Sequence, residues 1–430
     1  MNTEDLARTL RAAAGVAPEP IGDLAEAVAA RRAVRTRARV RTVLAVVAVV
    51  IVAGGGTVAV RKAGGHREVM RPATAAPTRP VFTPVQSPLA PPLPVRPAQD
   101  VWPGAVFRMP ADAGDGWRYR PITALGPRHL LVYFERSLDR FERIGVYDIA
   151  LGTGTVLATL PERPDLQRYY VQGADADAEH IIWYATGTRR DGTPVTEFWV
   201  VGRDGGTPRM ITTLTDGTVE EATVVNGRLV WSLGRGGVFS MPLGGGTLVQ
   251  EVPETSGYQL LTWPWATQKP IVDERGKGRQ TVLVNLETQA RKIIRATESL
   301  RNVRCGPSFC FGDTVKDGKP VAVVQRLDGS GRRELPGLSG FGPEAPIADR
   351  FVATHMAGPS AEGTYRPVAA VYDRVTGAVG GVGASDGRGG GSYGRGVSSS
   401  ASLVFYWGAD NSEKPDEYWV LNLAAVPPTE

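Results

Sequence analysis

Hydrophobic positions along this chain fall into three regimes. Residues 42–60 are an apolar run of nineteen residues without a charge, closed by Arg41 on one side and by Arg61 and Lys62 on the other. At about 1.5 Å per residue such a helix is roughly 28 Å long, enough to cross a hydrocarbon core. Residues 1–41 show helical spacing. Leu6, Leu10 and Ala13 share one face, Ala17-Pro18-Glu19-Pro20 breaks it, and Ile21, Leu24 and Val28 begin another. Two short faces of this kind bury no core alone. From about residue 101 the spacing changes to short β-type runs separated by glycine-rich turns.

The run at 42–60 predicts a single membrane span. A cleaved signal peptide is the rival reading. Its charged region is usually short, its core is 7–15 residues, and a small-x-small site follows. Here forty-one residues come first, and the nearest such site, Thr57-Val58-Ala59, leads straight into Arg61 and Lys62. Arg31, Arg32, Arg35, Arg37, Arg39 and Arg41 crowd the N-terminal flank, against Arg61, Lys62 and Arg67 beyond it. The positive-inside bias puts the N-terminus in the cytoplasm and the C-terminal bulk outside. Residues 61–100 read as a linker. Nine prolines between Pro72 and Pro97 favour extended polyproline II, a spacer between membrane and domain. The expected organisation is a cytoplasmic helical or disordered tail over 1–41, a span over 42–60, a linker over 61–100 and an extracytoplasmic domain over 101–430.

Within 101–430 a unit repeats: an apolar-aromatic strand, a turn, then another strand. Its fourth column holds Asp148, Gly202, Met241, Asn285, Gln325, Asp373 and Asn422, at spacings of 54, 39, 44, 40, 48 and 49. A period of this size with four strand-like runs per unit predicts an all-β, seven-bladed β-propeller. The seventh unit ends in Pro427-Pro428, which cannot supply an outer strand. Residues 105–109 are the spare strand, so they are expected to pair with 417–423 and lock the first blade to the last. Blade six is expected to begin with an inner strand at 345–347. Loops at 135–143, 187–194, 273–278, 357–365, 384–394 and 409–416 read as long, whereas Val225-Asn226-Gly227-Arg228 and Leu151-Gly152-Thr153-Gly154 read as tight. The long set falls on one rim, and that rim with the channel mouth is the expected binding face.

Val146-Tyr147-Asp148 and Val371-Tyr372-Asp373, each followed four residues on by Gly152 or Gly377, resemble the strand-and-turn element of TolB-like and WD40-like propellers. The likeness covers the architecture of 101–430. The Gly-His and Trp-Asp pairs of true WD40 repeats are absent, and no functional residue carries over. The whole layout resembles membrane-anchored propellers of actinobacterial type.

The net charge of +5 divides into +3 for residues 1–41, +4 for 42–100 and −2 for the rest. The basic character thus belongs to the membrane flanks, where it meets anionic lipid, and argues against nucleic acid as a partner of the large domain. The chain offers few groups for chemistry. His66 sits in the linker; His129 and His180 precede apolar runs; no pair has zinc-helix spacing and no Gly-x-Ser-x-Gly occurs. Asp175, Asp177 and Glu179 could hold calcium but lack the glycine and spacing of a calcium loop, and read as a solvated turn. No catalytic residue, cofactor or metal is expected. Cys305 and Cys310 are the only cysteines and bracket a tight turn, so outside the membrane they read as a disulfide, with Cα atoms about 4.4–6.8 Å apart. The functional expectation is a binding or scaffold propeller for a protein or cell-envelope ligand. The alternatives are an anti-sigma-like transmembrane regulator, whose tail over 1–41 binds a cytoplasmic protein, and a propeller lyase or hydrolase.

Overall fold

The computed structural model describes residues 93–428, apart from 138–139, 253–256, 269–270, 273–277, 296–299, 342–345, 357–366, 384–392, 397 and 410–414. The tail over 1–41, the span over 42–60 and the linker up to residue 92 lie outside the described residues. Among those described, no helix is long and apolar enough to cross a membrane.

Six blades follow one another along the chain, each with four antiparallel strands in chain order, and Asp112–Gly114 adds a fifth beside the first strand of blade one. Blade one holds Trp117–Ala124, His129–Ser137, Arg140–Asp148 and Thr153–Thr159. Blade two holds Leu166–Ala176, His180–Arg189, Pro194–Gly202 and Arg209–Leu214. Blade three holds Val219–Val225, Arg228–Leu233, Val238–Pro242 and Val249–Val252. Blade four holds Tyr258–Thr262, Trp265–Gln268, Val282–Asn285 and Arg291–Ile293; the hairpin Ile271–Val272 with Gly278–Arg279 extends its middle turn. Blade five holds Arg301–Cys305, Phe309–Lys316, Lys319–Arg326 and Arg333–Leu335. Blade six holds Leu338–Phe341, Phe351–Met356, Ala369–Asp373 and Val379–Val382. Its inner strand is not the one expected at 345–347: Ile347 makes only an isolated bridge to Phe351, because the tight turn through Ala348 and Asp349, both at positive φ, uses that stretch up.

The seventh sheet contains Gly394–Arg395, Val404–Gly408 and Glu417–Asn422, and takes its outer strand, Val106–Pro110, from the other end of the chain. Val106 faces Leu421 and Pro110 faces Glu417, so the strand lies one residue beyond the expected 105–109. The strap begins earlier than expected. Residues 93–100, read as the end of the linker, join the folded domain. Leu93 N donates to Pro336 O at 2.9 Å, Arg96–Pro97 add a parallel strand outside blade six, and Ala98–Val101 make one helical turn. The Trp102 ring then covers Gly380, where a Cβ would sit 2.3 Å from it, so that position has room only for glycine.

The core explains why these strands read as continuous apolar runs. In Leu130-Leu131-Val132-Tyr133-Phe134 the period of two sends Leu130, Val132 and Phe134 into the interface with blade seven, and Leu131 and Tyr133 into the interface with blade two. The same division recurs round the ring, giving seven apolar clusters, one at each blade-to-blade interface. Seven sheets with seven such interfaces, the last closed by Val106–Pro110, are a seven-bladed β-propeller.

The repeat column has a local cause. All seven of its residues fall at or beside the end of a third strand. Four are Asp or Asn, and each caps the turn that follows. Asp148 Oδ1 accepts from Ala150 N and Leu151 N, Asn285 Oδ1 from Glu287 N and Thr288 N, Asp373 Oδ1 from Val375 N, and Asn422 Oδ1 from Ala424 N. Asx side chains hold turns open to the next strand in this way. Gly152 and Gly377 supply the positive φ at the far side of two of these turns. Asp373 also takes a two-pronged ion pair from Arg350, at 2.9 and 2.7 Å, while fully buried.

Cys305 and Cys310 are joined by a disulfide and fully buried between blades four and five. Their Cα atoms are 3.9 Å apart, closer than expected. The pair sits at a site where the two strands do not exchange backbone hydrogen bonds: Gly306 N bonds Phe309 O next to it, and Cys305 N turns to Gln280 Oε1. Such sites are the narrow ones of an antiparallel ladder.

Candidate functional site

Sequence reasoning placed the binding face on long loops. Two of those loops are mostly strand. In 135–143 the strands continue until Ser137 pairs with Arg140, and in 187–194 the strand runs to Arg189, leaving a turn over 190–193. Strand pairing there satisfies backbone groups that polar, glycine-bearing sequence had suggested were loop. Residues 273–277, 357–366, 384–392 and 410–414 of the other four lie outside the described residues. The two tight turns are as expected, with Asn226 and Gly227 both at positive φ in a two-residue hairpin.

The described residues instead bring a site together inside the channel. Blade seven has an inner strand of only two residues, and the segment after it leaves the sheet. Ser399 N donates to Ala174 O at 2.9 Å, Ala222 N donates to Ser399 O at 2.8 Å, and Ser402 Oγ donates to Ile122 O at 2.9 Å. The serine-rich stretch 398–402 thus crosses to the inner strands of blades one, two and three. Those edges would otherwise present unpaired backbone groups to the channel. Close approach is possible because Gly173 has no side chain: a Cβ there would meet the Ser399 backbone at 2.9 Å.

Beside this plug lies a cavity of about 510 Å³. Among the residues of its wall are Glu220 and Glu221 from blade three, Gln259 from blade four, Arg304 from blade five, Arg395 from blade seven, and the plug serines. Glu220 and Glu221 both reach it because the ladder of blade three slips by one residue between Val219 and Glu221. A bulge re-aims a side chain that regular alternation would send elsewhere.

Electrostatics mark the same place. Burial pushes the Glu221 carboxyl up to about 8, helped by the charges of Asp175 and Glu220 and opposed by Arg395. Burial raises Asp175 to about 6, against hydrogen bonds led by that from Thr223 Oγ1 at 2.5 Å. Arg395 is lowered to about 10 by burial, with Glu221 opposing, and burial lowers Arg304. The Tyr184 hydroxyl, also at the cavity, is raised to about 12 by burial and by Glu221 and Glu220. Perturbed titratable groups converging on one hollow are a usual mark of a ligand site.

The expected solvated acidic turn is divided in two. Asp177 does cap a turn, accepting from Glu179 N and His180 N, but Asp175, two residues back on the strand, is carried into the domain beside Thr223. His129 and His180 stand 3.5 Å from Asp148 and Asp177, at strand entries as expected. His66 lies outside the described residues. Among the described residues no three His, Cys, Asp or Glu side chains converge to hold a metal ion. The channel acids were missed at the sequence level; two adjacent glutamates opening an otherwise apolar strand, Val219–Val225, were the available signal.

A second hollow of about 320 Å³ lies between blades one and two, lined by Phe141, Tyr169, Tyr170, Trp183 and the connector over 160–164. Arg163 holds Asp165 through two hydrogen bonds and also binds buried Glu197, which accepts from Tyr169 Oη at 2.9 Å.

No family model matches the chain, and no curated protein matches it. Several solved structures are similar at low identity. TolB from Acinetobacter baumannii is 14% identical with a TM-score of 0.34, over 50% of this chain and 53% of that one, so the chain spans about half of TolB. The Cps50 (Swd1) β-propeller domain of Myceliophteria thermophila is 9% identical with a TM-score of 0.35, over 71% and 97%. YCF48 from Cyanidioschyzon merolae is 11% identical with a TM-score of 0.39, over 74% and 99%.

Proposed function

We propose that this protein is a single-pass membrane protein, N-terminus cytoplasmic, whose extracytoplasmic propeller is a binding scaffold for a protein or cell-envelope ligand. The observation that carries the binding reading is the polar cavity in the channel. It is built on the inner strands and on the serine segment that crosses them, it gathers buried ionisable groups, and its wall offers carboxyls, guanidiniums, amides and hydroxyls. The anchor and its orientation rest on the apolar run 42–60 and its arginine flank. The prolines between 72 and 97 serve as a spacer. The regulator reading shares this topology and differs only in making the two amphipathic faces of 1–41 the business end.

A photo-crosslinking residue at Gln259, in the full chain in its own membrane, tests the two readings together. The expected result is cross-linking of an envelope component at Gln259, unchanged when 1–41 are deleted and absent when the same probe replaces Ile293 on the outer edge of blade four. Cross-linking at Ile293 equal to that at Gln259, or loss of it on removing 1–41, overturns the proposal. Reporter fusions at Met1 and Glu430 test the topology, and a cytoplasmic reporter active at Glu430 sinks it.

A further inference from the structure

Several arginines of this domain lie over aromatic rings and also reach an acid. Arg108 stacks on Trp419 and pairs with Glu417 at 2.8 Å, Arg350 stacks on Phe351 and pairs with Asp373, and Arg374 stacks on Phe309 and lies 3.8 Å from Asp349 Oδ2. Blade one departs from this. Two guanidiniums lie over a single indole there: Arg136 Cζ and Arg143 Cζ are each 4.3 Å from the centre of the Trp117 ring. The ladder brings them together, since Arg118 faces Glu135 and Arg143 faces Phe134 across successive strands. Trp117 is 3% exposed beneath them, whereas Arg136 is exposed and Arg143 half-buried.

Stacking accounts for the faces of these two guanidiniums and leaves their N–H edges over. Neither Arg136 nor Arg143 donates a hydrogen bond or meets an acid among the described residues. The acids beside them in the chain are engaged elsewhere: Glu135 lies 3.7 Å from Arg120, and Glu142 lines the hollow between blades one and two. Among the described residues both positive charges are thus uncompensated, in a domain whose net charge over 101–430 is −2.

Two unpaired forks on one ring suit a phosphate. A carboxylate is satisfied by one guanidinium fork, whereas a phosphate has oxygens for two. Forks already stacked on an indole lose little freedom on binding it. A lipid surface fits less well, because attraction to anionic lipid builds up over clusters of roughly four to eight basic residues, and this domain is net acidic. We propose that Arg136 and Arg143 together bind the phosphate of a phosphate monoester, carried by a free small molecule or by an envelope polymer. Neither residue lines the channel cavity, so the site does not rest on reading that cavity as a ligand site.

Titration calorimetry of the full chain in non-ionic detergent micelles tests this, with glycerol 1-phosphate as the probe and sodium acetate and glycerol in parallel. Glycerol 1-phosphate is expected to bind at one site at millimolar concentration, and more weakly as salt is raised. Arg136→Gln and Arg143→Gln are each expected to weaken it at least about tenfold. Arg136→Lys is expected to weaken it nearly as much, since an ammonium keeps the charge and lacks the fork. Arg108→Gln, which removes a stacked guanidinium that already holds Glu417, should leave binding as it was. Melting temperatures separate lost binding from lost folding, and if Arg143→Gln does not fold, exposed Arg136 carries the test alone. Solubilised envelope polymer competes if it bears the natural phosphate, and stops competing after phosphatase treatment; failure to compete while glycerol 1-phosphate binds assigns a free ester. No heat with glycerol 1-phosphate, equal heat with acetate, full binding by Arg136→Gln or Arg136→Lys, or an equal loss in Arg108→Gln overturns the proposal. So does binding of dihexanoylphosphatidylglycerol without binding of glycerol 1-phosphate, which would make the partner a lipid.

Discussion

The blade interfaces and the channel wall of this propeller are built from the same strands and obey opposite rules. Each interface repeats one recipe: alternate apolar side chains from two neighbouring sheets, fully buried and without charge, seven times round. The channel wall is a single construction. It has a bulge in blade three, a truncated inner strand in blade seven, a serine segment that leaves its sheet, and ionisable groups on four blades. Repetition serves stability, because every blade must bury both faces. Departures from the repeat collect where the chain can hold something else. Substitutions on the two sides should therefore differ in kind as well as in size.

The largest effect is expected at the closure. Deleting residues 101–110 removes buried Trp102, Ala105 and Met109 and strips blade seven of its outer strand. Loss of one large buried side chain costs about 3–5 kcal/mol, so losing the strand should abolish a cooperative transition in calorimetry. Deleting 64–92 should leave the transition where it was. Equal transitions for the two deletions would show that the ring does not depend on this strap.

Next comes the buried pair of blade six. Removing one partner of such a pair costs about 3–5 kcal/mol, so Asp373→Ala should lower the denaturation midpoint sharply, and Arg350→Ala by a similar amount. Burial raises the Asp373 pKa, but the Arg350 guanidinium and the turn donors outweigh it and hold the carboxyl below its ordinary range. A depressed carboxyl contributes stability that is present above its unfolded value and is lost as pH falls through the folded one. The destabilisation by Asp373→Ala should therefore shrink in acid; a penalty independent of pH would assign it to packing.

The disulfide should matter less. It closes a short loop, with a sequence separation of 5, so the chain-entropy gain is roughly 2 kcal/mol. Intact mass of unreduced, denatured protein should show no alkylatable thiol, and two after reduction. Two thiols without reduction would remove the disulfide.

The last effect has the opposite sign. Glu221 carries a raised pKa, so the folded state binds a proton that the unfolded state has released. Stability is then lost as pH rises from the ordinary carboxylate range towards about 8. Glu221→Gln should raise the melting temperature at pH 8 and change it little at pH 5. A gain of equal size at both values would mean that the glutamine packs better for reasons unrelated to charge.

How much of this was legible beforehand follows the same division. The seven units, their repeat column, the use of 105–109 as the outer strand against 417–423 and the disulfide could be read from one-dimensional spacing. Each depends on neighbours in a ladder or on a count of strands, and strand period and turn chemistry are local. Two polar stretches, 135–143 and 187–194, read as loop in the sequence because polarity alone does not distinguish a solvent-edge hairpin from irregular chain.

The sequence by itself therefore determined the propeller, its closure and its interfaces, since period-two burial on both faces leaves a strand no other place to go. Only the tertiary structure decided what faces the axis. A one-residue slip at Val219 turns both Glu220 and Glu221 into the cavity, and Ser398–Ser402 cross it only because the inner edges of three other blades offer backbone partners. Those partners lie hundreds of residues away in the chain, so no local pattern could have foretold the site.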